Sequence, residues 1–172
     1  SGTPGIRVCL PLLLLALAGP WAGATDAGAT CAAPVEIPAK GGTFTGISAG
    51  VGEVASDSCG GNGPEQVFQW SPNVSGFATI DTCGAGTRIN TVLSMRFASC
   101  TGSEVACNDN ATGCFIVTGQ EHGSRITPRV TAGQVYAIIV DTRPSQGGVF
   151  TLHVVPPLPP STTSTSSTST TS

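Results

Sequence analysis

Residues Gly76 to Cys114 read GFATIDTCGAGTRINTVLSMRFASCTGSEVACNDNATGC and hold four of the seven cysteines in the chain. Within them, Thr91–Phe97 sets Leu93, Met95 and Phe97 on one side and Ser94 and Arg96 on the other. That period of two marks a strand buried on one face. Phe77–Thr82 alternates in the same way, and Glu104–Asn108 reads as the return strand of a hairpin. No window carries the i, i+3, i+4 pattern of an amphipathic helix. The stretch is β, and the flanks follow it.

Upstream, Val35–Pro38, Gly42–Ile47 and Val67–Trp70 have the β-branched and aromatic character of short strands. Ser48–Pro64 between them is a long Gly- and Ser-rich loop around Cys59; loops of that length are usually functional or stapled. Downstream, Asn108–Gly123 is polar and irregular, and Ser124–Val130 is a strand interrupted by Pro128, which fits an edge position. Val135–Val140 (VYAIIV) is nearly all apolar and reads as a central strand, and Gly148–Val155 closes the set. About eight to nine short strands between Cys31 and Val155 predict an all-β fold, a single β-sandwich of jelly-roll or Greek-key type. A segment of that size supports one core.

The two ends differ from this body. Arg7 followed by the apolar Val8–Ala18 and by Ala22-Gly23-Ala24 has the form of a signal peptide over 1–24 with a small-residue cleavage site. Its apolar run is shorter than the roughly 20 residues a membrane span needs. Residues 25–30 read as a flexible leader. At the other end, 156–172 is a Pro-rich spacer followed by Ser and Thr alone from Ser161 onward. Such a run has no apolar surface to bury and reads as a disordered stalk or linker with more protein, or an anchor, expected beyond it. The expected location is therefore extracellular or at the cell surface. The mature part carries no membrane span, as one monomeric module of a longer chain.

Charge excludes one class of partner. Only 10% of residues are charged, against roughly 25% in an average soluble protein, and the net charge is −3. The seven basic residues are scattered singly, so the clustered cations of a nucleic-acid-binding surface are missing.

Cleavage after Ala24 removes Cys9 and leaves Cys31, Cys59, Cys83, Cys100, Cys107 and Cys114. An even number in an exported chain reads as a disulfide set, with fifteen possible pairings. Strand adjacency favours Cys100–Cys107 across the hairpin, with Cys83–Cys114 and Cys31–Cys59 as the remaining pairs. The Cys-x6-Cys-x6-Cys spacing of the last three is not that of a zinc site.

The segments CAAPVEIPAKGGTFTG, CGGNGPEQVFQWSP, GFATIDTCGAGTRINTVL, SEVACNDN, SRITPRVTAGQVYAIIVD and GVFTLHVVPP together resemble the bacterial pre-peptidase C-terminal (PPC) domain, in its cysteine-containing form from exported proteins. The resemblance covers nearly all of Cys31–Pro157. It implies a jelly-roll β-sandwich appended to secreted proteases and surface proteins. Such a domain is noncatalytic and is associated with secretion, surface attachment or binding of extracellular proteins and polysaccharides. Some relatives bind calcium. Here Asn90 and the run Asn108-Asp109-Asn110 carry amides where the family often has carboxylates, and calcium favours several carboxylate oxygens. Asp57, Asp81 and Asp109 remain as calcium candidates; Asp109 and Asn110 equally suit a plain turn. No other cofactor is implied.

Catalytic constellations are sparse. Only His122 and His153 are available to a triad, and no G-x-S-x-G is present. His153 falls on the side of its strand opposite Phe150 and Leu152, which suits a sheet surface. A cysteine nucleophile for His122 competes with the disulfides. Glu53, Glu65 and Glu121 follow no glycosidase spacing. Trp70 and Tyr136 could stack on sugar, but their strands favour the core. The expected function is a noncatalytic exported accessory or adhesion module. A carbohydrate-binding jelly roll is the first alternative, and a secreted hydrolase the second.

Overall fold

The alternation in Thr91–Phe97 sorts into an inside and an outside. The computed structural model describes residues 30–49, 57–144 and 146–160. Residues 1–29, read above as a signal peptide and most of a leader, together with Glu53 and the Ser/Thr run from 161, lie outside the described residues. What is described contains eleven strands and no helix. In chain order they are β1 (Val35–Ile37), β2 (Gly42–Ser48), β3 (Gln66–Trp70), β4 (Gly76–Phe77), β5 (Thr79–Asp81) and β6 (Thr91–Phe97). Then come β7 (Glu104–Asp109), β8 (Arg125–Ile126), β9 (Arg129–Val130), β10 (Tyr136–Thr142) and β11 (Gly148–Val155).

They form a five-stranded sheet in the order β1-β3-β10-β6-β7, a four-stranded sheet in the order β2-β11-β5-β8, and a short ribbon of β4 with β9. All pairings are antiparallel except β1 with β3, which is parallel. The two strands beyond the expected number come from splitting. Pro128 has no N–H to continue a ladder, so Ser124–Val130 becomes β8 in the four-stranded sheet and β9 in the ribbon. Opposite it, Phe77–Thr82 divides into β4 and β5, and the Ala78 N–H turns to the Pro128 carbonyl at 3.0 Å.

The core lies between the two larger sheets, which makes the fold a β-sandwich. Phe68, Trp70, Leu93, Met95, Tyr136, Ile138 and Val140 face it from the five-stranded sheet. Ile80, Ile126, Phe150, Leu152 and Val154 meet them from the other. Phe150 sits edge-on to Phe68 with ring centroids 6.2 Å apart. Trp70 and Tyr136 belong to this core at 0% and 3% exposure, so neither can stack on a sugar. Gly46 in β2 reflects how tightly the layers close: a Cβ there would lie 2.3 Å from both the Phe150 ring and the Gln66 amide oxygen. Phe150 is fully buried and cannot yield. Gly46→Ala is expected to destabilise the fold by about 1–3 kcal/mol, the range of overpacked cores, measured by urea unfolding.

The outer face of the five-stranded sheet is covered too, which explains why β10 reads as an unbroken apolar run. All seven of its residues are buried. Val67, Ala137, Ile139 and Cys100 form a second apolar cluster there. Two disulfides fasten chain to this face: Cys31–Cys100, closing 69 residues of chain, and Cys59–Cys107, closing 48. The third joins Cys83 to Cys114. The expected Cys100–Cys107 and Cys31–Cys59 pairs do not form, and register gives the reason. Cys107 sits on β7 opposite Ser94 of β6, whereas Cys100 lies in the turn between those strands. A hairpin brings together residues equidistant from its turn, so these two cannot meet. Each instead accepts a cysteine from the segments laid across the sheet.

Candidate functional site

The three aspartates offered as calcium ligands are not brought together. Asp57 pairs with Arg96 of β6 on the outer face of the five-stranded sheet. Asp109, at the end of β7, meets Arg143 at 2.7 Å. Asp81 belongs to the other sheet, where β-pairing sets His153 on one side of it and Arg125 on the other. The His153 Nδ1 lies 3.1 Å from Asp81 Oδ1, and the Arg125 Nε 3.5 Å from Oδ2. Each carboxylate thus meets a cation, and among the described residues no three Asp, Glu, His or Cys side chains group as a metal site would. Asn110 takes the left-handed conformation (φ 67°) of a turn.

The other described carboxylates are engaged in the frame as well. Glu36 accepts from the Gln69 amide, Glu104 from the Ser58 N–H and hydroxyl, and Glu121 from the Gly113 N–H. Asp141, on the outer face of β10, is 2% exposed. Its Oδ1 accepts the Gly63 and Thr142 N–H groups at 3.1 and 2.5 Å. The chain passes directly over it at Gly61 (φ +85°), where a Cβ would lie 2.5 Å from Oδ2. Burial pushes the Asp141 carboxyl up to about 7, the two N–H groups oppose that, and the charges of Glu65 and Asp57 add to it.

A different part of the molecule has the shape of a binding site. Residues 82–90 join β5 to β6 and 110–124 join β7 to β8, so both loops emerge at one end of the sandwich. Cys83–Cys114 clamps them together. Backbone bonds from the Gly84 N–H to the Phe115 carbonyl (2.7 Å) and from the Val117 N–H to the Thr87 carbonyl (3.0 Å) lay them side by side. Beneath them Thr82, Thr87, Thr91 and Ser124 are fully buried, which only a hydrogen-bonded network allows. The Thr82 and Thr91 hydroxyls lie 2.6 Å apart, the Ser124 N–H donates to Thr82 Oγ1 at 2.9 Å, and the Ser124 hydroxyl donates to the Thr91 carbonyl at 2.6 Å. The Thr87 hydroxyl donates to the Thr82 carbonyl at 2.6 Å and receives the Thr151 N–H at 3.1 Å.

The two loops line a cavity of about 400 Å³, within the usual range of small-ligand sites. Arg88 and Asn90 come from the first loop, Gln120 and His122 from the second, and Gln146 from the turn before β11. Ile89 and Ile116 supply its apolar wall. No carboxylate is among the described residues that line it. Of the residues singled out in the sequence for possible chemistry, only Asn90 and His122 are here. Arg88, Gln120 and Gln146 escaped notice because the three segments meet only in the folded state. The one local signal was that Cys83 and Cys114 introduce the loops.

No protein-family model matches the chain, and no curated protein matches it. Among solved structures, it is similar to the crystal structure of the pre-peptidase C-terminal domain of collagenase from Bacillus anthracis, at 14% identity with a TM-score of 0.46. The match covers 70% of this chain and 91% of that one. The chain is similar to a PPC domain.

Proposed function

We propose that the chain is a noncatalytic exported module of PPC type that supports secretion, surface display or the binding of extracellular polymers. The observation that carries this reading is where its reactive groups go. All six cysteines of the body are in disulfides, which leaves no thiolate for a nucleophile. The described carboxylates serve as struts between strands and loops, and Glu65 too is partnered. His153 is tied to Asp81, and His122 stands in a pocket with no carboxylate among the described residues to orient it as a base. Three long-range bridges suit an oxidising compartment and agree with the signal-peptide reading of 1–24.

The test is co-sedimentation of the oxidised protein with insoluble extracellular polymers, collagen and polysaccharides among them, followed by sizing of the polymer. Retention on at least one polymer with its chain length unchanged is expected. Release of soluble fragments would instead identify a hydrolase, and His122→Ala would then abolish that release.

A further inference from the structure

We propose that the cavity between the clamped loops binds the carboxylate-bearing sugar of an acidic extracellular glycan. This deepens the polymer-binding reading and rests on it.

Arg88 is the first reason. Arg96, Arg125 and Arg143 each meet an aspartate, while the Arg88 side chain has no ion-pair partner among the described residues. Its backbone is pinned by the bond from its N–H to the Val149 carbonyl at 3.0 Å, so the guanidinium is presented from a fixed base. A planar guanidinium matches a carboxylate with two parallel hydrogen bonds. The described lining offers no carboxylate to fill that role from within.

Asn90 is the second. It lines the cavity with Arg88 and brings a side-chain amide to the wall. Gln120 and Gln146 add two more amides, each able to donate and accept, as a ring of sugar hydroxyls requires. A peptide ligand would be better served by a larger apolar surface than Ile89 and Ile116 provide. The hydroxyl network below and the Cys83–Cys114 clamp hold the wall in place before the ligand arrives, so little ordering opposes binding.

The experiment is calorimetric titration of the oxidised protein with short oligogalacturonates, with their methyl esters, and with a poly-glutamate peptide. The free acids are expected to bind and the esters to bind at least about tenfold more weakly. Arg88→Gln is expected to weaken binding roughly tenfold to a hundredfold without changing the melting temperature, because it removes a charged hydrogen-bonding pair. Arg88→Lys, which restores charge but not the fork, should recover part of it. Arg129→Gln, on the exposed face of the β4–β9 ribbon, should bind as wild type.

Equal loss in Arg88→Gln and Arg129→Gln would overturn the proposal in favour of a diffuse charge effect. So would equal binding of acid and ester, tighter binding of poly-glutamate, or no heat with any of the three. Retention of Arg88→Gln on a polymer that the wild type sediments with sinks the pocket assignment alone. Fragmentation of the polymer sinks the module reading itself.

Discussion

Replacing Cys31 and Cys100 together by serine is expected to lower stability by about 4 kcal/mol and the melting temperature by roughly 10–20 °C. The bridge closes 69 residues of chain, the longest of the three loops, so its removal frees the most unfolded-state entropy in the loop-closure picture. It also loosens the cover over the outer face, where Cys100 itself packs with Val67, Ala137 and Ile139. The same exchange at Cys83 and Cys114, across 31 residues, should cost slightly less by entropy alone. Circular dichroism melts of the oxidised wild type and the two double variants measure both. A drop of only a degree or two for the first variant would show that the segment carrying Cys31 leaves the sheet before the sandwich unfolds.

Stability is expected to fall as the pH rises from about 4 to 7, by up to about 4 kcal/mol, because of Asp141. Its folded carboxyl is pushed up to about 7 by burial under the Gly61–Gly63 segment. In that pH window the folded protein keeps a proton that the unfolded chain has released, so raising the pH favours unfolding. The charges of Glu65 and Asp57 add to the rise, and Asp57 is itself paired with Arg96. Asp141→Asn keeps an oxygen for the Gly63 and Thr142 N–H groups and removes the proton. It is expected to leave stability nearly flat between pH 5 and 8 and to exceed the wild type at pH 8. At the acid end Glu104 acts in the opposite sense. Burial alone would raise it, but the Ser58 hydroxyl and N–H and the nearby Arg96 outweigh that and hold it below the ordinary range. Its contribution is lost as the pH falls through that lowered value, so stability peaks on the acid side of neutrality. Urea titrations at several pH values check both limbs, and a wild-type curve rising from pH 5 to 8 would contradict the assignment.

Much of the frame was legible because local pattern carries it. Leu93 and Met95 against Ser94 and Arg96 told the inner face of β6 from the outer, and the VYAIIV run placed β10 at the centre of its sheet. Phe97 departs from its pattern: at the strand end it is 44% exposed and lies edge-on against Tyr136. Pairings between distant segments were less accessible. The parallel β1–β3 contact and the chain laid over the outer face leave no periodic trace, and these decide where Cys31 and Cys59 arrive. The aspartates looked alike as ligands in sequence, yet their partners lie 34 to 72 residues away. Only the register of β5 with β8 and β11 shows that Asp81 has one on either side. The pocket is harder still, since its lining comes from three connections and no single one carries the chemistry.

The oxidised frame underlies both the burial of Asp141 and the clamped pocket, and peptide mapping of the unreduced protein by mass spectrometry tests it most directly. The expected linked peptides join Cys31 to Cys100, Cys59 to Cys107 and Cys83 to Cys114. A Cys100–Cys107 peptide, or free thiols at Cys83 and Cys114, would contradict the strapped outer face or the clamped loops respectively.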